Sequence, residues 1–176
     1  AICLAKLMTD RVLNFHIWAR NASAAQALTT DLNAEGYKAI TVPDLSAAIG
    51  AADIITTTTN ATKPLFADGL VRKGSHVTAI GADCPGKQEL PTKLVATASL
   101  RVCDMASQSL HHGEFQTAQR SDASLQVSEL GHILSGAQKG RTSDEEITVV
   151  DLTGIAAQDI AITQTIIDAA AGAKTQ

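Results

Sequence analysis

Thr78-Ala79-Ile80-Gly81-Ala82-Asp83-Cys84-Pro85-Gly86-Lys87-Gln88-Glu89-Leu90 is the stretch around which the predicted fold is organised. It begins as an apolar strand, runs into a glycine turn and places Asp83 at the strand's exit, with Lys87 shortly after it. In an open α/β sheet, ligands bind outside the carboxyl ends of the strands. The stretch therefore predicts a strand of such a sheet and marks Asp83 and Lys87 as candidates for chemistry.

The composition is typical of a globular domain. The chain has 176 residues, of which 45% are hydrophobic and 18% charged, enough for one domain with its own core. The formal net charge is -4 and no run of Lys or Arg occurs, so the electrostatic footprint of a nucleic-acid-binding protein is missing. The apolar runs are short and interrupted, which predicts no membrane span. We therefore expect neither nucleic acid nor membrane as a partner.

The cysteines and the start of the chain bear on its origin. The cysteines at positions 3, 84 and 103 show neither metal-ligand nor disulfide spacing, and an odd number of thiols suits a reducing compartment. We therefore expect a cytoplasmic protein. The chain starts without Met, on an apolar segment, residues 1–13, with the pattern of a helix interior, so we expect it to be a fragment.

Short apolar strands alternate with helical patterns along the chain. Strands are predicted at residues 15–19, 39–42, 53–59, 76–80, 100–104 and 147–152. Helices are predicted at residues 1–13, 22–36, 44–49, 107–114, 125–134 and 155–171, with an apolar link at 93–98 and a loop at 115–124. This alternation predicts the α/β class. Because crossovers are right-handed, a doubly wound, mostly parallel, Rossmann-type sheet with helices on both faces is the expected architecture.

Arg20 and Asn21 are candidates for binding a nucleotide. In a dinucleotide-binding fold, an acid at the end of the second strand binds the adenosine ribose, whereas an arginine accommodates a 2′-phosphate. This chain has Arg20 and Asn21 at such an exit and no acid, which favours NADP over NAD. On spacing alone, a surface arginine followed by a helix-capping asparagine fits equally well. The glycine loop that would accompany such a site is absent from the sequence.

A run of threonines ends the strand at residues 53–59. Thr58, Thr59 and Asn60 lie nearest its exit, and their polar groups are predicted to contact a cofactor. The two preceding threonines are explained by the high β-propensity of this residue type.

Asp83 and Lys87 form the sharpest candidate pair. A carboxylate at a dry strand end can act as a general base, and a lysine nearby can hold it ionised or neutralise a bound anion. The alternative is an ordinary turn, since Asp, Pro and Gly are turn residues for backbone reasons. Thr153 and Gly154 mark another strand exit, where a following helix would favour an anion or a polar carbonyl group; a plain strand-to-helix turn fits as well.

No metal site is expected. His111 and His112 with Glu114 look like a ligand cluster, but adjacent histidines point to different sides of a helix. A solvated helix end is the better interpretation of these three residues.

Residues 81–90 resemble the G-A-D-x-P-G-K-x-E-L signature of the ornithine cyclodeaminase/μ-crystallin family. Other segments agree with that family and follow in the expected order. They are IWARN at 17–21, ADIITTT at 52–58, SELG at 128–131, GRTSDEEIT at 140–148 and DLTGIAAQD at 151–159. The similarity covers nearly the whole chain, and the combination is specific.

The resemblance implies a domain organisation. The family has a Rossmann nucleotide domain inserted into a second domain that binds substrate and forms a homodimer. Residues 1–154 would be the NAD(P)-binding domain without its first strand and glycine loop, and residues 155–176 a helix leading back to the missing domain. A homodimer through that domain is implied, and the fragment alone is expected to be inactive.

The resemblance also implies a function. Family members use NAD or NADP for cyclodeamination, amino-acid dehydrogenation or imine reduction of small amino or imino acids. A non-catalytic, NADPH-dependent binding protein of the μ-crystallin type is the alternative. The family's catalytic aspartate corresponds to Asp83. Its cofactor contacts correspond to Arg20, Asn21, Thr58, Thr59, Asn60, Lys87, Leu152 and Thr153, the last two less securely because Leu152 replaces a common Ser.

Overall fold

The structure, a computed structural model, describes residues 13–173. The chain divides into two compact units, which meet in sequence between Ala51 and Ala52. The helix expected over residues 1–13 falls almost wholly outside the described residues.

The first unit is a β-α-β-α segment. Its elements are β1 (Asn14–Ile17), α1 (Ala22–Ala34), β2 (Lys38–Thr41) and α2 (Leu45–Ala51). The two strands pair in parallel, in the register Asn14↔Lys38. Helix α1 is the crossover between them, and it buries Ala25, Thr29 and Leu32. The sequence predicted this segment because both strands and the helix carry local patterns.

Local signals set both ends of α1. Asn21 is its N-cap, and the side-chain Oδ1 accepts hydrogen bonds from the backbone N–H groups of Ser23 and Ala24 at 3.0 and 3.3 Å. Gly36 ends the helix with a φ of 89°, a left-handed conformation that glycine adopts without steric cost. The sequence offers Asn21 or Ser23 as the cap and Gly36 as the end of this helix; the structure selects Asn21 and confirms Gly36.

The second unit contains a five-stranded sheet flanked by helices. Its elements are β3 (Ile54–Thr57), β4 (His76–Ala79), α3 (Thr92–Thr97), β5 (Leu100–Cys103), α4 (Ala106–His112), α5 (Gln116–Ser121), β6 (Ser128–Glu129), α6 (Leu130–Leu134), β7 (Thr148–Asp151) and α7 (Ala156–Ala173). The strand order is β3-β4-β7-β5-β6, and every pair is parallel. The predicted α/β, Rossmann-type class is therefore confirmed.

The core of the second unit surrounds its central strand. All four residues of β7 are buried, as expected for a parallel strand covered on both faces. Val77 on β4 and Val149 on β7 are wholly inaccessible to solvent, and helix α3 buries Leu94 and Val95. The last strand of the sequence therefore lies beside the strand that leads into the 81–90 loop.

Three segments differ from the sequence expectation. Residues 93–98, expected as a link, lie mostly in helix α3, and the expected loop at 115–124 contains helix α5. The helix expected over 125–134 is instead the short strand β6 followed by the short helix α6. For β6 the reason is its pairing with β5, an interaction that local periodicity does not reveal.

Helix α7 lies where the sequence predicts a helix. The isoleucines along it are candidates for the core by residue type, but four of them are exposed to between 55 and 68%: Ile160, Ile162, Ile166 and Ile167. Within residues 13–173, no helix combines the length and the apolar character needed to cross a bilayer.

Candidate active site

The carboxyl ends of the strands in the second unit gather most of the predicted site residues. Because all strands are parallel, their carboxyl ends share one edge of the sheet. Thr58–Asn60 follow β3, Asp83 and Lys87 follow β4, and Leu152 and Thr153 follow β7. The structure therefore places these three groups at the edge where α/β proteins bind ligands.

Asp83 and Lys87 form an ion pair just beyond β4. The Lys87 Nζ lies 2.5 Å from the Asp83 Oδ1, and the aspartate side chain is half exposed while the lysine is 27% exposed. The hydrogen bond from Lys87, aided by one from Cys84, lowers the pKa of Asp83, and the same bond to Asp83 raises the pKa of Lys87. Both groups are charged at neutral pH, so Asp83 is suited to accept a proton or to orient one.

The β3 exit turns one threonine inward and leaves its neighbours at the surface. Thr59 is half-buried, and its backbone N–H donates a hydrogen bond of 2.5 Å to the Glu89 carboxylate. Thr58 and Asn60 are exposed. The polar side chains that lie at the surface of this exit are thus those of Thr58 and Asn60.

Glu89 is a buried acid that sequence reasoning missed. Its side chain is wholly inaccessible to solvent. Besides the bond from Thr59, the carboxylate accepts hydrogen bonds from Thr57 Oγ1 at 2.7 Å and from the Gly81 N–H at 2.9 Å. It therefore joins the exit of β3 to the exit of β4.

Gly81 allows these two exits to approach closely. A Cβ atom at this position would lie 1.9 Å from the Thr59 backbone oxygen and 2.7 Å from the Glu89 Cδ. A side chain of any size is excluded here, which explains the glycine of the signature in physical terms.

Glu114 supports the far end of the 81–90 loop, so its interpretation as a solvated helix end was wrong. The side chain is fully buried, and the carboxyl group accepts hydrogen bonds from the backbone N–H groups of Glu89, at 2.9 Å, and Leu90, at 2.6 Å. Burial raises the pKa of Glu114 to about 7, against the lowering effect of these bonds. The signal available in the sequence was the apolar Phe115 beside it, which is also fully buried.

Asp151, the last residue of β7, supports Glu114 in turn. Its Oδ2 accepts hydrogen bonds from the Glu114 backbone N–H, at 2.9 Å, and from the Ser109 hydroxyl. Burial raises the pKa of Asp151 to about 6. We call Asp151, Glu114 and Glu89 the carboxylate series. Asp151 binds the backbone N–H of Glu114, and Glu114 binds the backbone N–H of Glu89. Glu89 in turn binds the backbone at the exits of β3 and β4.

The side chain of Gln116 holds the middle of the 81–90 loop. This buried amide accepts a hydrogen bond from the Gly86 N–H at 3.0 Å and donates to the carbonyl oxygens of Lys87 at 3.1 Å and Gly113 at 2.9 Å. The sequence missed it because residues 115–124 were interpreted as a polar loop. The turn that carries Asp83 and Lys87 is thus held at its middle by Gln116 and at its end by Glu114.

The β7 exit is tied to the β5 exit. Thr153 Oγ1 donates to Asp104 Oδ1 at 2.9 Å and accepts from Gln108 Nε2 at 2.9 Å, while the Gly154 N–H donates to Asp104 Oδ2 at 2.7 Å. The Leu152 N–H is bonded to the β4 backbone. The Thr153 hydroxyl is therefore used within the chain, and the predicted nucleotide contacts of Leu152 and Thr153 stay predictions.

Arg20 and Asn21 lie in the first unit, after β1. Arg20 is exposed, and Asn21 serves as the N-cap of α1, the interpretation that the sequence left open. Their nucleotide contacts also stay predictions. Among the described residues, no group of three or more His, Cys, Asp or Glu side chains is arranged to hold a metal ion.

The whole arrangement has counterparts among known proteins. The model of the ornithine cyclodeaminase/mu-crystallin family matches residues 2–174. The chain belongs to this family. The resemblance seen in residues 81–90 is therefore confirmed over nearly the entire sequence.

Individual relatives differ in the reactions for which they are named. An uncharacterized cyclodeaminase of Sinorhizobium fredii is 38% identical over 152 residues, covering 83% of this chain and 45% of the relative. A Delta(1)-pyrroline-2-carboxylate reductase of Bacillus cereus is 41% identical over 131 residues, covering 72% of this chain and 40% of the relative. The chain thus spans less than half the length of these curated relatives.

A solved structure shares the fold. An archaeal alanine dehydrogenase, a dimer with bound NAD, superposes with a TM-score of 0.86 and 31% identity, covering 98% of this chain and 54% of that chain. The relatives and this neighbour indicate an enzyme family whose members act as dehydrogenases, reductases or cyclodeaminases.

Proposed function

We propose that the protein is an NAD(P)-dependent enzyme of the ornithine cyclodeaminase type, which acts on a small amino or imino acid by hydride transfer. The observation that carries this proposal is the Asp83–Lys87 ion pair at the carboxyl end of β4, in a loop fixed by buried side chains. Cyclodeamination, imine reduction and amino-acid dehydrogenation, the reactions in the relatives' names, all involve hydride transfer at a carbon bound to nitrogen; in cyclodeamination the hydride is returned, so that reaction is redox-neutral overall.

Asp83 is the proposed catalytic residue. Its carboxylate is ionised at neutral pH because Lys87 lowers its pKa, so it can accept a proton from the substrate nitrogen or orient an attacking amine. Its half-exposed position leaves the group accessible to a substrate. Lys87 holds the carboxylate in place and presents a cation to the anionic or carbonyl groups of the cofactor.

The strand exits offer donors and acceptors of the types that a nicotinamide nucleotide needs. The bound nucleotide supplies or accepts the hydride. Thr58 and Asn60 present a hydroxyl and an amide at the β3 exit, which suit a ribose or a carboxamide, and Thr59, Leu152 and Thr153 are proposed as backbone contacts. Gly81 contributes no side chain at this edge.

Arg20 and Asn21 are proposed to bind the adenosine side of the nucleotide. The arginine favours NADP because it can pair with a 2′-phosphate. Titration of the protein with NADH and NADPH tests this preference, and tighter binding of NADH would overturn it.

The proposal extends to the domain organisation of the enzyme. We propose that residues 1–154 act as the nucleotide domain and that residues 155–176 lead to a substrate domain. A cytoplasmic homodimer would form through that second domain. The exposed isoleucines of α7 support this, because a helix with such a surface is suited to contact another domain.

The decisive experiment follows nicotinamide absorbance in the full-length protein. Amino acids, and keto acids supplied with amines, are offered together with each nucleotide. We expect turnover with one of them and a loss of at least about a hundredfold in Asp83→Asn, the typical share of a general base. Asp122→Asn, in an exposed turn after α5, serves as the matched control with activity unchanged. Nucleotide binding without turnover of any substrate would favour the μ-crystallin-type alternative instead.

A further inference from the structure

The chemistry of the strand exits depends on two separate backbone segments keeping a fixed spacing. Thr58–Asn60 follow β3, whereas Asp83 and Lys87 follow β4. The ladder between β3 and β4 ends at Thr57 and Ala79, and the next backbone bond between the two segments runs from the Gln88 N–H to the Ala61 carbonyl oxygen at 2.9 Å. Between these two points, where a nucleotide would lie, a side chain can set the spacing.

Glu89 occupies the position that such an interaction requires. Its carboxylate accepts from Thr57 Oγ1 and the Thr59 N–H on one segment, at 2.7 and 2.5 Å, and from the Gly81 N–H on the other, at 2.9 Å. All three partners donate, which matches a carboxylate, a group that only accepts. Because the side chain is wholly buried, solvent does not compete for these bonds.

The backbone of Glu89 is also held in place by hydrogen bonds. The Glu89 backbone N–H donates to Glu114 at 2.9 Å, and the Glu89 carbonyl oxygen accepts from the Leu65 N–H at 2.8 Å. With its backbone fixed on both sides and its side chain buried, Glu89 has little freedom to follow a movement of either exit. A rigid bridge of this kind transmits position from one segment to the other.

We propose that Glu89 is a positioning residue for nucleotide binding, because its carboxylate fixes the spacing between the Thr58–Asn60 segment and the Asp83–Lys87 loop. The inference rests on the proposed function, since it assigns Glu89 a part in holding the nicotinamide nucleotide. Glu89 does not touch the nucleotide or the substrate; it acts through Thr59 and Gly81.

Two sets of substitutions test the bridge. In Glu89→Gln one terminal atom becomes an NH₂ group, which cannot accept from the backbone N–H of Thr59 or of Gly81. Thr57→Val removes only the hydroxyl donor and keeps the β-branched shape, while Thr57→Ser keeps the donor. Glu145→Gln is the matched control, because Glu145 is exposed and its ion pair with Lys73 spans 3.5 Å at the surface.

The measurement is the dissociation constant of NADH and NADPH in the full-length protein, together with kcat at saturating nucleotide and the melting temperature. We expect about a tenfold weaker affinity in Glu89→Gln, equivalent to about 1.4 kcal/mol. Thr57→Val should weaken binding about threefold, and Thr57→Ser and Glu145→Gln should bind as the unmodified protein does. A purely structural role would lower the melting temperature and leave the dissociation constant unchanged.

The possible outcomes separate this inference from the proposed function. If Glu89→Gln and Thr57→Val melt at lower temperature but bind nucleotide like the unmodified protein, Glu89 is structural and the inference fails alone. If the unmodified protein binds neither nucleotide, the proposed function fails and takes the inference with it. Should Glu89→Gln not fold, the Thr57→Val and Thr57→Ser pair decides.

Discussion

Gly81 shows how the absence of a single side chain positions a site. A Cβ atom here would meet the backbone oxygen of Thr59 at 1.9 Å and its nitrogen at 2.6 Å, both backbone atoms that cannot turn aside. We expect Gly81→Ala to lower the free energy of unfolding by about 1 to 3 kcal/mol, the usual cost of overpacking. Denaturant unfolding of the purified protein measures this loss.

The matched control is Gly131→Ala, since a Cβ at Gly131 meets nothing within 4 Å. This variant should unfold within about 0.5 kcal/mol of the unmodified protein. Equal stability of the two alanine variants would contradict the close approach of the β3 and β4 exits.

At the scale of elements, the carboxylate series links strand β7 to the loop after β4. Glu114 is its middle member, and its pKa rises from 4.5 to about 7 because the group is buried. At a pH between 4.5 and about 7, Glu114 has lost its proton in the unfolded chain but still holds it in the folded chain. The stability that this proton contributes is complete below about pH 4.5 and is lost as the pH rises through about 7.

We therefore expect the difference in unfolding free energy between Glu114→Gln and the unmodified protein to depend on pH. Between about pH 5 and about pH 8 it should shift in favour of the variant, by a total on the order of 3 kcal/mol, because the amide has no proton to lose. Urea unfolding at several pH values measures it. Glu145→Gln, at an exposed site, should show no such drift, and a constant difference for Glu114→Gln would refute the assigned pKa.

Local signals explain which elements were predictable. The cap at Asn21 and the glycine at Gly36 act within a few residues, so the sequence predicted both ends of α1. The Asp83–Lys87 pair, with i,i+4 spacing, was predictable for the same reason. Their partners were not: Glu89 reaches Thr57 across 32 positions, and Glu114 reaches the Glu89 N–H across 25.

Charged residues also mislead when their partners are distant. An acid beside two histidines reads as a solvated helix end, yet Glu114 is buried because backbone N–H groups from another segment satisfy it. The same holds for the uncharged Gln116, whose side-chain amide bonds to five backbone groups within residues 84–113. In the sequence, a polar side chain that binds distant backbone groups cannot be distinguished from one in a solvent-exposed loop, because its partners become adjacent only in the folded chain.

At the scale of the whole molecule, strand order rather than strand identity creates the site. The alternation of strands and helices predicted the α/β class, but not that β7 would lie between β4 and β5. This insertion places Asp151 near Glu114 and so connects β7 to the 81–90 loop. The strand and the loop were both predicted from the sequence, but the buried Glu114 that connects them was not.

Helix α7 exposes four isoleucines to solvent, Ile160, Ile162, Ile166 and Ile167. Ile166 and Ile167 are 61 and 55% exposed, so in the 176-residue chain they contribute little to folding. Replacing both by Gln should change the free energy of unfolding of this chain by less than about 0.5 kcal/mol and reduce its self-association in sedimentation experiments. Leu94→Gln, at a buried position of α3, should destabilise strongly and serves as the control.

In a longer protein that includes the proposed substrate domain, we expect the same double substitution to behave differently. If the proposed substrate domain covers α7, Ile166→Gln with Ile167→Gln removes apolar contacts and buries two amides, which should cost about 3 kcal/mol or more. A cost in the longer protein but not in the 176-residue chain identifies α7 as the contact between domains. An equally small effect in both would mean that its isoleucines stay in solvent, and the proposed domain contact would then have to be sought on another surface.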